Sequence, residues 1–197
     1  MFALLKNNKR GFTLIEVVIG LAISLILMVV TVKIFQVQRK SYSMQEQVAE
    51  MQQNIRAAMD MMVREIRMTG YDPTGADFAG IGTNTSGMLQ FLADIDGNGA
   101  TTDTNEDITY RYYDANDASY PREIKRKTDS GSFQPFVENI DDCNFLYYDN
   151  NGVATSTASS IRQIRITITG RTTKADSNYG YRYGTLTSLV IPENLNY

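Results

Sequence analysis

The chain has 197 residues, 43% hydrophobic and 21% charged, which suits one modest domain with an appendage and argues against wholesale disorder. No His and a single Cys exclude imidazole catalysis, an intrachain disulfide and a thiolate-rich zinc site. A net charge of -3 gives no electrostatic footprint for nucleic acid.

That small charge conceals a sorting along the chain. Residues 1–11 carry Lys6, Lys9 and Arg10 and no acid, and so stand at +3. Residues 12–69 carry six basic and five acidic side chains, and residues 70–197 carry ten and seventeen, so these segments stand at +1 and -7. The three segments read as a basic handle, a nearly neutral rod and an acidic head.

From Phe12 to Val32 the sequence is FTLIEVVIGLAISLILMVVTV, with Glu16 its only ionisable group. As a helix this run reaches about 31 Å, enough to cross a bilayer core. The short basic stretch ahead of it would also suit a cleaved secretory signal. Such a signal needs small residues just past the apolar run, and Val30-Thr31-Val32-Lys33 offers none, while Ala22 and Ser24 lie in mid-run. Lys33, Arg39 and Lys40 on the far side match the near-side cations, so flanking charge leaves orientation open. Glu16 is the informative residue: a carboxylate within hydrocarbon costs about 3 kcal/mol, so it either reaches the interface or finds a partner.

Arg10-Gly11-Phe12-Thr13-Leu14-Ile15-Glu16, followed by unbroken apolar sequence, resembles the class III signal of type IV prepilins and type II secretion pseudopilins. The resemblance implies a leader at 1–11, a membrane prepilin peptidase that cuts after Gly11 on the cytoplasmic side, and N-methylation of the new N-terminus at Phe12. It also implies insertion in a bacterial inner membrane with the N-terminus cytoplasmic, then transfer to the periplasm or to a pilus on the cell surface. Other major and minor pilins become the expected partners. Cutting converts the Phe12 amide nitrogen into a cationic amine four residues, or one helical turn, from Glu16. The spacing permits that pair within one chain, and the family places it between neighbouring subunits; the sequence leaves both open.

Beyond the apolar run, Ile34, Val37, Ser41, Met44, Val48, Met51, Ile55, Ala58 and Met62 recur at spacings of three and four, a heptad-like stripe. No Pro or Gly occurs from residue 21 to 69, so one helix of roughly 85 Å is expected from about Phe12 to Met68, transmembrane over 12–32 and extramembrane over 33–69. Thr69-Gly70-Tyr71-Asp72-Pro73 ends it, with Gly at the cap and Pro just beyond. The stripe suits either a free coiled-coil dimer or packing of the outer half on the domain that follows. Six of the nine Met residues lie between positions 44 and 68 and read as packing. Gln45-Glu46-Gln47-Val48 through Arg64-Glu65-Ile66-Arg67-Met68-Thr69-Gly70-Tyr71-Asp72-Pro73 also resembles the PilW-type minor pilins, in which a Gln-rich helix ends in a similar Arg-x-x-Gly-Tyr-Asp sequence.

Residues 70–197 turn to Gly, Asn, Asp, Thr and Tyr. Period-two stretches at Met88–Ala93, Ile108–Tyr113, Glu123–Lys127, Phe145–Tyr148, Ile161–Thr169 and Thr185–Ile191 predict strands, with turns at Asp149-Asn150-Asn151-Gly152 and Ser130-Gly131. The expected fold class is α+β: a long N-terminal helix whose second half packs on a C-terminal antiparallel sheet domain, 70–197, in the pilin manner. Cys143, at the start of a strand, reads as a small buried residue.

One loop carries a candidate metal site. Asp94-Ile95-Asp96-Gly97-Asn98-Gly99 reproduces the D-x-D-x-N-G opening of a calcium loop, in which side-chain oxygens recur at alternate positions. The candidate ligands are Asp94, Asp96, Asn98 and the Ala100 carbonyl, with Asp103 or Glu106 completing the shell. The twelfth position is Asn105, so Glu106 falls one residue late, and no flanking helices are expected; the loop reads as a non-helical calcium site or as a solvated acidic turn.

The expected function is therefore a structural subunit, a PilW-like minor pilin of a type IV pilus that needs no cofactor other than, in the candidate loop, calcium. A J-type pseudopilin of type II secretion is built by the same physics, and a calcium-dependent tip adhesin is the binding-module alternative. An enzyme is disfavoured, since no Gly-x-Ser-x-Gly, Cys pair or phosphate-binding loop occurs.

Overall fold

A computed structural model describes residues 11–176 and 179–195, so the expected leader lies outside the described residues except for Gly11. One helix, α1, covers Leu14–Arg67. Gly70 takes φ 76° beyond its end, and the N–H groups of Met68 and Thr69 close on the carbonyls of Glu65 and Ile66, so the last turn is finished by the residue type that enters the left-handed region most readily. The chain divides into two compact units, Met1–Gln45 and Glu46–Tyr197.

In the first unit the described residues are helical from Leu14 onward and their side chains are exposed almost throughout, with Phe12, Leu14 and Ile15 through Val37 bare of contacts that bury them. Among the described residues α1 is the helix long and apolar enough to cross a membrane.

In the second unit the helix presents Met51, Ile55, Ala58, Met59, Met62 and Ile66 to the core, all buried at spacings of one, three and four. The outer half of the heptad-like stripe is thus covered by the chain's own sheets, whereas Ile34, Val37 and Ser41 remain exposed. Burying several Met and Ile side chains, each stabilising by roughly 1.5–3 kcal/mol, is what holds this half of the helix to the head.

The head contains two antiparallel sheets. The first runs β1 (Ile81–Asn84), β2 (Met88–Leu92), β3 (Asp107–Tyr113), β4 (Glu123–Thr128) and β5 (Gln134–Glu138) in sequential order. The second runs β6 (Ile140–Tyr148), β7 (Gln163–Arg171) and β8 (Tyr183–Val190). Asn139, at φ 59°, makes the break between them. On β7 the alternation predicted from sequence is fulfilled: Ile164, Ile166 and Ile168 are all fully buried. They meet Cys143, Phe145 and Tyr147 of β6, so Cys143 is a core residue; burial first, and the nearby charge of Asp142, push its thiol well above the ordinary range, and it stays an inert hydrophobe.

Two devices fix the helix on these sheets. Gly170 of β7 and Gly184 of β8 are paired, and a Cβ on either would come within 2.7 Å of Ile55 Cγ2 or 2.8 Å of Met51 Cε. The missing side chains are the space the helix occupies. Farther along, Glu65 accepts from Tyr110 Oη at 2.5 Å and from Arg126 Nη2 at 2.9 Å, tying the helix to β3 and β4. Burial, and then the negative charge of Glu65, push the Tyr110 phenol far above its usual range, so it remains a donor to that carboxylate.

Gly170→Val is therefore expected to destabilise the head by about 1–3 kcal/mol through overpacking. Thermal unfolding of the full chain in detergent checks this: Gly170→Val should lower the midpoint, while Gly87→Ala, whose Cβ would meet nothing within 4 Å, should not.

Candidate functional site

Two constellations follow from the sequence, one in each compact unit. The first is the entrance to α1. Gly11, Phe12 and Thr13 precede the helix in irregular, exposed backbone, and a Cβ at Gly11 would touch nothing within 4 Å, so the Gly11–Phe12 peptide is unshielded by the described residues. Thr13 and Glu16 then form a reciprocal cap. The Glu16 N–H donates to Thr13 Oγ1 at 3.3 Å, and Glu16 Oε2 accepts from the Thr13 N–H at 2.8 Å and from its hydroxyl at 2.8 Å. This is the S/T-x-x-E capping box, which satisfies helix N–H groups that have no intrahelical acceptor. Its pattern is legible in Thr13-Leu14-Ile15-Glu16, whereas the charge argument alone points to Phe12 as the partner of Glu16. The carboxylate has a partner one residue closer.

The second constellation is the acidic loop between β2 and β3. Asp94 and Glu106 are fully buried, at 0% and 1% exposure, although both carry carboxylates. Asp94 Oδ1 accepts from the N–H groups of Gly97 at 2.7 Å and Asn98 at 3.1 Å, and Oδ2 from Gly99 at 2.9 Å. Glu106 Oε1 accepts from Ile95 at 2.8 Å and Asp96 at 3.2 Å, and Oε2 from Asp103 at 3.1 Å. Two buried carboxylates thus organise the backbone of the loop from opposite sides.

Carboxylate oxygens of Asp94, Asp96 and Glu106 all lie within 4.8 Å of one another. Asn105, at φ 68°, turns the chain just ahead of Glu106, so the residue that looked one place late is folded back onto the loop. The other candidate ligands are differently engaged. Asn98 Nδ2 donates to Asp103 Oδ2 at 2.7 Å and to Asp96 Oδ2 at 3.2 Å, and Asn98 Oδ1 accepts from the Ala100 N–H at 2.8 Å. The flanking elements are strands, so the site has no EF-hand frame. Asp96 is held above its usual carboxylate range by desolvation first and then by the charges of Glu106, Asp103 and Asp94.

A neighbour absent from the sequence reading is the loop at Asp72–Asp77, which follows the cap of α1. Thr74 Oγ1 lies within hydrogen-bond distance of Asp72 Oδ1, at 3.0 Å, and of Asp94 Oδ2, at 3.3 Å, and gives its one proton to either. The Gly70 N–H donates to the Leu92 carbonyl and the Asp94 N–H to the Tyr71 carbonyl, each at 2.8 Å. The Asp-x-Thr spacing in Asp72-Pro73-Thr74 was the legible trace of this turn.

Residues 6–32 match a family model described as the prokaryotic N-terminal methylation motif. Residues 44–189 match one described as prepilin peptidase-dependent protein B. No curated protein matches the chain.

Replacing Asp94 by Ala would take the side-chain acceptor from the Gly97 and Gly99 N–H groups, while the Asn98 N–H would keep Asp96 Oδ1 at 3.1 Å, so the loop would lose its organising carboxylate. Limited proteolysis should then cut between residues 95 and 105 in Asp94→Ala far faster than in the parent chain; equal rates would show that Asp94 does not organise the loop.

Proposed function

The chain belongs to the prepilin peptidase-dependent protein B family, and from that premise we propose that it is a PilW-like minor pilin of a type IV pilus. In this reading the peptidase removes residues 1–11, methylates Phe12 and releases a subunit that is held in the inner membrane by 12–32 until it joins other pilins. The role is structural. The observation that supports it best is the coincidence, at one helix start, of the methylation-motif match over 6–32, an unshielded Gly11–Phe12 peptide, and a carboxylate at Glu16 that is already positioned by its cap.

The chemistry follows from charge. Before cutting, the Phe12 nitrogen is a neutral amide, and among the described residues Thr13 serves Glu16. After cutting, a cationic amine stands one turn from Glu16 in a segment with no other ionisable side chain. In the low dielectric of a bilayer that attraction is much stronger than in water. A carboxylate that keeps its Thr13 contacts still has lone pairs for the amine of its own chain or of a neighbour. Pairing across subunits would set the axial register of packed helices, whose apolar surfaces supply the contact but little specificity of position.

Glu16→Ala should leave cleavage after Gly11 largely intact, because the scissile bond is untouched, yet reduce surface pili severely. Immunoblots for the size shift together with pilus counts read both effects, and normal piliation in Glu16→Ala would refute the pairing. Gly11→Val should instead block the size shift.

The convergence of the Asp94, Asp96 and Glu106 carboxylates favours a second, compatible reading in which the head binds calcium at this loop. Three carboxylates so close repel one another, and a divalent cation with oxygen ligands would relieve that repulsion. Titration calorimetry of the purified chain should show binding heat and a raised melting temperature with Ca²⁺, both lost in Asp96→Asn; neither effect in the parent chain would dismiss the metal.

A further inference from the structure

A cleft of about 580 Å³ opens at the junction of the two sheets, with no residue of α1 or of the acidic loop in its lining. Its floor is the tip of the β1–β2 hairpin. The Tyr112 N–H of β3 donates to the Gly87 carbonyl and the Phe145 N–H of β6 to the Ser86 carbonyl, each at 2.9 Å, so Ser86 and Gly87 lie between the two strands. Two strand spacings, roughly 10 Å in all, therefore separate β3 from β6 here. The volume suits a small molecule.

The walls carry opposite charges that do not meet. On the β3 side, Arg111 Cζ stands 4.7 Å from the ring centre of Tyr113, and that ring is steadied edge-on by Tyr120 and Phe133. Arg111 makes no hydrogen bond or ion pair among the described residues, so the ring holds the guanidinium and leaves its N–H fork unused. On the β6 side, the Asp142 carboxylate is exposed and likewise has no hydrogen-bond or ion-pair partner among the described residues. Two residues on, and so on the same face, Asn144 Oδ1 is buried with no donor among the described residues. Asp114 and Asp117 also line the cleft. Asp114 Oδ1 accepts from the Asn116 N–H at 2.8 Å, and Asp117 Oδ1 from the Ser119 and Tyr120 N–H groups at 2.9 and 2.8 Å. Each keeps Oδ2 for another donor. Those backbone hydrogen bonds, and then the charges of Arg111 and Lys125, hold Asp117 below the usual carboxylate range, so it is ionised.

We propose that this cleft binds a free basic α-amino acid, with its carboxylate on Arg111, its α-ammonium on Asp142 and Asn144, and its cationic side chain on Asp114 and Asp117. A guanidinium fork matches a carboxylate with two parallel hydrogen bonds. A zwitterion answers both unpaired charges at once, across a gap that the two walls do not close on their own. Arg111 against Asp114, Asp117 and Asp142 gives the lining a charge of -2, which a ligand of net positive charge offsets. An acidic amino acid would bring a second carboxylate against Asp114 and Asp117. A diamine would leave Arg111 as a like-charged neighbour, and a sugar would find one face of Tyr113 already covered by Arg111. The cleft belongs to the head alone, and its ligand does not depend on processing at Gly11 or on calcium at Asp94.

Titration calorimetry of the full chain in detergent provides the test. L-lysine and L-arginine should give binding heat. L-glutamate, cadaverine, which lacks the carboxylate, and Nα-acetyl-L-lysine, which lacks the α-ammonium, should each bind at least about tenfold more weakly. Arg111→Gln and Asp142→Asn, on opposite walls, should each weaken L-lysine by a similar factor. The thermal midpoint should change little, since neither side chain has a hydrogen-bond or ion-pair partner among the described residues. Arg165→Gln, outside the cleft, should bind as the parent does. The ligand series reads the same contacts without any substitution. The proposal is overturned if the parent binds neither L-lysine nor L-arginine, if cadaverine binds as tightly as L-lysine, or if either wall variant binds L-lysine like the parent.

Discussion

A carboxylate at the third position of a helix whose first nineteen residues hold no other ionisable side chain needs something to hold it. Glu16 stands in the first turn of α1, where the unpaired N–H groups and the positive end of the helix dipole favour negative charge. Thr13 completes the arrangement by trading hydrogen bonds with it. The cap gives the helix a defined start two residues after Phe12, so the Gly11–Phe12 peptide, where the proposed processing would cut, is left outside the helix. Had the helix begun earlier, Gly11–Phe12 would be wound into it and its carbonyl committed to a backbone bond. Position of the charge, start of the helix and exposure of the Gly11–Phe12 bond are one fact seen three ways.

The second compact unit answers a different constraint, the covering of a stripe of Met, Ile and Ala on α1. Two paired glycines give the backbone room to approach, and Glu65 fixes the position of the helix through Tyr110 and Arg126. The same turn that caps the helix at Gly70 also holds the acidic loop, through the Gly70–Leu92 and Asp94–Tyr71 hydrogen bonds. A cation bound at Asp94, Asp96 and Glu106 would therefore stabilise the end of the helix as well as its own loop.

Legibility in the sequence followed the strength of local periodicity. Ile164, Ile166 and Ile168 announced β7, and six of the eight strands were foreseen within a few residues. β1 is too short to show a period and contains Gly82, and β5 carries Pro135, which demotes any strand reading; both lie at sheet edges and are held by neighbours rather than by their own pattern. The division into two sheets hangs on Asn139 entering the left-handed region, which no alternation reports. At the acidic loop the ligand types were readable, but not the turn at Asn105 that brings Glu106 back, nor the buried state of Asp94. At the helix start the motif and its carboxylate are plain, and the spacing of the Thr13 cap is legible too, although only the fold shows that Thr13 and Glu16 exchange hydrogen bonds.

The account stands on a cut between Gly11 and Phe12 in the cell. The most direct test is the intact mass of the protein isolated from its native membrane, with fragmentation of its N-terminus. It should begin at Phe12 and carry one added methyl group on that nitrogen. A chain that retains Met1, or one that begins at any residue inside 13–45, would contradict it.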